Sequence, residues 1–340
     1  MTRTPTNLVR LALAALLAGW FAPAFAAAAP APETLLDWAL APPVISYRGR
    51  MMFTQWFGKQ ARAEDIDVYW SAGRSRREFL APDGSKTRVI ISDGERQEVH
   101  LVKKGRVLQG DAVKSYEKVM PPDSERKLLL KNYRLTASGP ETIAGRPCWV
   151  LRIDPILAGK PAQKLWLDQQ THVVLENKRY IPKRSFAAMI RYTRFVPDEQ
   201  LPDELFRLEA STAPATPGKG LEPDFLTLEQ LNAATGKDAK LPAELPSGFQ
   251  FESADFFMIG KQTVRHARYT DGLSVLSLFL TDKPVRVPKG ERLHASGLPG
   301  ASLRLSSAGK VLRWRRGRLH LTLLGDVTRE LLQQLASSLK

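Results

Sequence analysis

Turn chemistry at short intervals constrains this chain more than any other feature. Pro82-Asp83-Gly84, Asp93-Gly94 and Lys104-Gly105 punctuate the stretch from Arg76 to Gly110 and leave only short β-rich runs between them. Gly and Asp at such corners supply the backbone angles that send a strand back alongside itself. The spacing therefore predicts a meander of antiparallel strands. Val44–Phe57 and Ala63–Trp70, joined by a turn at Gly58-Lys59-Gln60, extend the series towards the N-terminus. Pro147–Asp154, Ala162–Leu167, Val173–Ile181 and Ser185–Val196 read as a second series. Within it, "KLWLDQQTHVVLENKRYIP" at Lys164–Pro182 carries two strands around the polar corner Asp168-Gln169-Gln170-Thr171.

Helical signals interrupt the strands at few places. Pro30–Pro43 predicts a short helix with Leu35, Leu36, Trp38 and Ala39 on its apolar side, ended by the double proline. Pro121–Leu135 opens with Pro-Pro-Asp-Ser and predicts a second helix with Leu128, Leu129 and Leu130 turned inward. "LPDELFRL" at Leu201–Leu208 closes the unit. Glu209–Gly248 is dense in Ala, Thr, Pro, Gly and Lys, and reads as a linker with one short helix near Leu226–Ala233. Strands resume near Leu245, with turns at Asp271-Gly272, Gly309-Lys310 and Gly317. "VTRELLQQLASSLK" is a final amphipathic helix, with Leu331, Leu332, Leu335 and Leu339 along one side. The expectation is a mainly β (α+β) protein. Residues 30–210 form a large unit, 211–243 a linker and 244–340 a smaller antiparallel β unit with a C-terminal helix.

The first 26 residues read as a secretory signal. Arg3 and Arg10 precede the apolar run Leu11–Ala22, and Ala24-Phe25-Ala26 supplies a cleavage pattern. The run is short for a membrane span, and no later segment reaches the roughly 20 apolar residues that a membrane helix needs. Export to the periplasm with removal of residues 1–26 is expected. Losing the two arginines lowers the formal charge of +15 by two, so the mature chain stays basic. A basic chain suits phosphate-bearing partners, anionic membrane surfaces or acidic proteins. Export argues against nucleic acid. The single cysteine, Cys148, excludes an intrachain disulfide and sits in the apolar run "GRPCWVLRI", where a packed thiol is expected.

Catalytic patterns are missing from the sequence. His100, His172, His266, His294 and His320 are scattered, with no H-E-x-x-H and no companion cysteines. Neither G-x-S-x-G nor G-x-G-x-x-G occurs. Ser124-Glu125-Arg126-Lys127 matches S-x-x-K but lacks the accompanying motifs, and reads as helix surface. Asp65 and Asp67 share a strand face among Arg62, Arg74, Arg76 and Arg77, and read as an exposed charged surface. No catalytic residue, cofactor or metal is expected, and a hydrolase fails for want of a nucleophile–base pair.

Two stretches could bind. On alternation, Tyr47, Met51, Phe53 and Phe57 point one way while Met52 and Trp56 point the other; Ile66, Val68 and Trp70 share a face across the turn. A strand apolar on both sides must bury both, against helices or around an apolar ligand. "RWRRGR" contributes Arg313, Trp314, Arg315, Arg316 and Arg318, the densest basic run, either as solvated arginines on a turn or as a contact for lipid phosphate or an acidic protein.

"ISYRGRMMF", "TIAGRPCWVLRIDP", "KLWLDQQTHVVLENKRYI" and "FVPDEQLPDELF" resemble the MucB/RseB family of periplasmic sigma-factor regulators, and more broadly the lipoprotein carriers typified by LolA. "LPSGFQFESADFF", "ARYTDGLSVLSLFL" and "LHLTLLGDVTRELLQQLASSL" extend the MucB/RseB resemblance into the second unit, which a LolA-type carrier lacks. The resemblance implies an open half-barrel sheet with helices on its concave face, followed by a small β module. It implies a partner: the periplasmic segment of a transmembrane anti-sigma factor of the RseA/MucA type, shielded from proteolysis, with lipid or lipopolysaccharide releasing the grip. A lipid or lipoprotein carrier is the rival reading. The high basic charge and the long Ala/Pro-rich linker depart from the family pattern.

Overall fold

The computed structural model describes residues 28–57, 60–111, 119–181, 188–197, 200–207, 216–217, 225–235, 240–284, 291–292, 298, 300–306 and 309–339. The expected signal segment and the Gly58-Lys59 corner lie outside them.

Helix α1 (Pro32–Leu40) leads into six antiparallel strands, β1 (Tyr47–Phe57), β2 (Gln60–Ser71), β3 (Arg74–Leu80), β4 (Lys86–Ser92), β5 (Arg96–Leu101) and β6 (Arg106–Asp111). Helix α2 (Pro122–Asn132) then carries the chain to the opposite edge. Strands β7 (Tyr133–Ile143), β8 (Arg146–Pro155), β9 (Ala162–Asp168), β10 (Val174–Tyr180) and β11 (Ala188–Pro197) step back inward. The last of them pairs with the first, Tyr47 opposite Pro197, so the two meanders become one sheet with its seam in the middle. At that seam Gly49 is obligatory, because a Cβ there would lie 2.7 Å from the Arg194 carbonyl and 2.8 Å from the Tyr192 ring. The pair β12 (Thr216–Pro217) adds a two-residue parallel edge on β6.

Each face of this sheet has its own core. Leu35 and Leu36 of α1 and Leu129 of α2 pack on Trp149, Leu151, Leu165 and Leu167. Tyr47, Ile66, Val68, Cys148, Val150, Trp166, Leu175, Tyr192 and Phe195 fill the other cluster. Cys148 is buried, as its context predicts, and burial together with the nearby Asp168 charge pushes its thiol up to about 12.

The second unit is an eight-stranded antiparallel sheet: β13 (Glu244–Leu245), β14 (Phe249–Ile259), β15 (Gln262–Thr270), β16 (Val275–Thr281), β17 (Glu291–Arg292), β18 (Ser302–Ser306), β19 (Gly309–Arg316) and β20 (Leu319–Gly325). Strict alternation buries Leu319, Leu321 and Leu323 of β20 on one face. Helix α4 (Arg329–Ser338) covers that face with Leu331, Leu332, Leu335 and Ala336, and the Thr328 hydroxyl caps it by accepting from the Leu331 amide.

Two local readings change. The second helix stops at Asn132, and Tyr133–Leu135 already belong to β7, a strand absent from the sequence reading. β7 is an edge strand whose apolar alternation, Tyr133, Leu135 and Ala137, runs directly on from the leucines of α2 and stops before Gly139-Pro140 and a run of exposed residues. The short helix expected within the linker is present as α3 (Leu228–Thr235); it buries Leu231 in the second core, joined there by Leu241, and Leu226 bridges to Ala254.

Candidate binding surfaces

The first hairpin behaves as alternation predicts. Tyr47 faces Trp70 and Met51 faces Ile66 across β1 and β2, and these four, with Phe53 and Val68, join one apolar cluster. The side chain of Phe57 lies outside the described residues. The same face continues through Phe79 and Arg77 on β3 to Arg88 and Ile90 on β4. Two cations thus stand on an apolar surface. The Nε atoms of Arg77 and Arg88 are buried without a hydrogen-bond partner among the described residues, and Arg88 lies 3.7 Å over the Phe79 ring. Burial, then the Arg88 charge, lowers the Arg77 pKa.

A cavity of about 320 Å³ opens where α1 ends, lined by Trp38, Val44, Tyr47, His172, Val173 and Tyr192 among others. Trp38 stacks on His172 with ring centroids 3.6 Å apart and planes 3° from parallel. The hydroxyl of Tyr192 donates to that of Tyr47 on the cavity's inner wall. Of the hairpin residues singled out by sequence, Tyr47 reaches this cavity. Met51, Phe53, Ile66, Val68 and Trp70 are not among its lining residues, and Trp70 instead donates its indole N–H to the Pro43 carbonyl.

The basic run divides. Residues Arg313 to Arg316 are strand rather than turn, and Trp314 is 3% exposed in the second core, which removes it from any contact surface. Arg316 reaches the Leu339 carbonyl, Arg313 lies half-buried on the sheet's open face, and Arg315 and Arg318 are exposed. Only the last two form the solvated cationic edge that the sequence suggested for the whole run.

Sequence reasoning missed the contact between the two sheets. Lys160, with no exposed side chain, donates from Nζ to Asn132 Oδ1 and lies 5.5 and 5.2 Å over the Tyr133 and Phe249 rings. Asp271, equally buried, accepts from the Tyr133 hydroxyl and the Ser274 amide. Asn132 Nδ2 donates to the Asp271 carbonyl, and Arg179 Nε pairs with Asp326. Gly272, at φ +95°, packs where a Cβ would meet the Leu129 amide at 2.3 Å. Asp271-Gly272 was legible as a turn, but a lone lysine in "AGKP" carries no signal of burial.

The first sheet thus carries a largely apolar cavity at the end of α1 and a separate apolar face on which Arg77 and Arg88 stand. The profile of the MucB/RseB N-terminal domain matches residues 33–203, and the chain belongs to the MucB/RseB family. The crystal structure of MucB in complex with MucA(peri) aligns over 90% of this chain and 97% of its own, at a TM-score of 0.59 and 17% identity. The complex structure of Pseudomonas aeruginosa MucA/MucB gives the same TM-score and identity, over 90% and 96%. A LolA superfamily protein from Nitrosomonas europaea aligns over 53% of this chain and 98% of its own, at a TM-score of 0.27 and 11% identity. No curated protein matches in sequence.

Proposed function

We propose that the chain is a periplasmic regulator that binds the periplasmic segment of a transmembrane anti-sigma factor and shields it from proteolysis. The observation that carries this reading is a likeness of fold running through both units, 90% of the chain, to MucB, which is solved with MucA(peri). A carrier confined to one half-barrel would leave the second sheet unaccounted for. The role is binding rather than catalysis. Arg315 and Arg318 speed encounter with an acidic partner, and apolar contacts then hold it. The cavity beside Trp38 takes an apolar ligand, lipid or a lipopolysaccharide acyl chain, that weakens the grip. Residues 30–210 and 244–340 act as the two binding domains.

The test is a titration of the full mature chain with the periplasmic segment of an anti-sigma factor encoded beside it. Saturable binding, faster at low salt and slowed by Arg315→Ser with Arg318→Ser, is expected, because exposed charges are screened over about 8 Å at physiological ionic strength. The bound segment should also resist the first regulatory protease. Absence of binding at micromolar concentrations overturns the proposal, as does binding without protection.

A further inference from the structure

The hairpin of β14 and β15 runs past the rest of the second sheet. The β15–β16 ladder ends at the Arg265–Leu280 pair, whereas the β14–β15 ladder continues through Phe257–Val264 and Met258–Thr263 to Ile259–Gln262. The end of the hairpin is therefore a two-stranded finger, closed by Gly260, at φ +61°, and Lys261. It points away from Asp271, which follows the other end of β15 and meets Lys160 of the first unit. β15 is nine residues long, so roughly 30 Å of strand separates the fingertip from that contact.

Four large apolar residues in a row occupy one strand of the finger. Phe256, Phe257, Met258 and Ile259 are 42, 38, 59 and 48% exposed. A strand period of two sends Phe256 and Met258 to one face and Phe257 and Ile259 to the other, so the finger is apolar on both sides. Contiguous exposed apolar surface of this kind marks an interaction site rather than an ordinary hairpin end. The finger is also held in shape: Phe257 stands edge-on to Phe279 with ring centroids 6.2 Å apart, and Phe279 stacks on His266 at 4.5 Å. From Phe256 to Val264 the hairpin contains no acid. Lys261 is exposed at its corner, and Lys283, also exposed, lies beside it, its carbonyl accepting from Gln262 Nε2. At the base of the finger Arg265 pairs with Asp282.

We propose that the finger docks the protein on an anionic phospholipid bilayer, with the four apolar side chains sunk into the interface and Lys261 at the phosphates. Exposure on both faces selects the occupant. A protein groove, or a second copy of this sheet, covers one face of a hairpin and leaves the other wet, whereas a bilayer surrounds it. The depth fits. Interfacial segments bury apolar groups about 5–10 Å into the boundary between headgroups and acyl chains, and Phe256 and Ile259 lie about 10 Å apart along the strand. The finger goes no deeper, because its outward amides and carbonyls have no ladder partner past Arg265 among the described residues and need water or headgroups. Charge adds a second attraction: the chain's formal charge is +15, and cations near anionic lipid are drawn to it in a way that salt screens. Docking needs no anti-sigma factor, and it is separate from the cavity beside Trp38, which takes an apolar ligand into the first unit.

The experiment is flotation of the full mature chain with vesicles of phosphatidylcholine and phosphatidylglycerol, beside vesicles of phosphatidylcholine alone. Binding to the anionic vesicles is expected, at least tenfold tighter than to the neutral ones. Phe256→Ser with Met258→Ser should weaken it at least tenfold, and Lys261→Glu severalfold. The melting temperature and the uptake of an apolar probe beside Trp38 should stay unchanged, which shows that these variants fold. A second readout locates the contact. Cys148 is buried, so Met258→Cys supplies one reactive thiol for an environment-sensitive fluorophore. Its emission should shift to the blue on anionic vesicles and be quenched by spin-labelled lipid. Absence of vesicle binding overturns the proposal, as does binding that ignores the serine changes or leaves the fluorophore in water. Serine changes that spare vesicle binding but abolish binding of the anti-sigma segment, or self-association of the chain, also overturn it and assign the finger to a protein partner.

Discussion

Lys160 Nζ lies 3.0 Å from Asp271 Oδ2, and neither side chain is exposed to solvent. A buried ion pair adds little over a well-packed apolar pair, but removing one member strands the other charge without water. Lys160→Met should therefore cost about 3–5 kcal/mol in urea unfolding. Lys160→Met combined with Asp271→Asn should recover part of that loss, because no unpaired charge remains. A single variant as stable as the parent would show that water reaches Asp271.

The corner at Asp168 makes a second expectation. Its carboxylate accepts from the Thr171 amide and hydroxyl and from both Nε and Nη2 of Arg146. Burial pushes its pKa up, but the Arg146 and Thr171 hydrogen bonds outweigh this, and the net shift is downward. A carboxylate whose folded pKa is depressed contributes stability above its unfolded value, near pH 4, and loses it as pH falls through the folded value. Asp168→Asn should cost about 1.5–3 kcal/mol at pH 7, the range of hydrogen bonds to charged groups. It should also flatten the decline in stability below pH 4. Urea midpoints measured from pH 7 to pH 2.5 check both.

Cys148 should be chemically silent in the folded chain. With its thiol pushed up to about 12 and its side chain buried, maleimide or a disulfide reagent at pH 8 should label it only after unfolding. The unfolded thiol ionises near pH 8.5. Its contribution is therefore full below that pH and is lost as pH rises towards the folded value, so stability should fall across this alkaline window. Rapid labelling of native protein would mean that β8 opens locally.

Val44 and Phe53 separate the two meanings of an apolar surface. Val44 is 92% exposed and lines the cavity beside Trp38, whereas Phe53 packs against the cluster around Tyr47 and Tyr192. Val44→Asp should weaken uptake of an apolar fluorescent probe severalfold with the melting temperature unchanged. Phe53→Glu should lower the melting temperature, because it places a charge against packed rings. The reverse outcome would move the ligand site onto the Phe53 face.

Most of this architecture could be read before folding. Turn chemistry marked the first meander and leucine spacing marked α4, because both are local signals. β7 escaped because its short alternation, Tyr133, Leu135 and Ala137, follows the α2 leucines without a break and reads as the tail of that helix. "RWRRGR" misled because composition weighed more than period: alternation alone would have sent Trp314 inward, opposite Arg313 and Arg315. The Lys160–Asp271 contact was invisible for another reason. It joins two turns far apart in sequence, and no window along the chain contains both.

The seam between β1 and β11 has a kinetic consequence. Tyr47 must wait for Pro197 before the centre of the sheet exists, so the loop to be closed spans nearly the whole domain. Folds dominated by such distant pairings form slowly, since chain entropy is lost before contacts return it. Until β11 arrives, β1 presents one edge of unpaired backbone groups, a template for the wrong strand. A nascent chain that stops short of Ala188 is not a smaller version of this domain but an open-sided sheet. Its survival then depends on being held apart from its own copies until the last strand emerges.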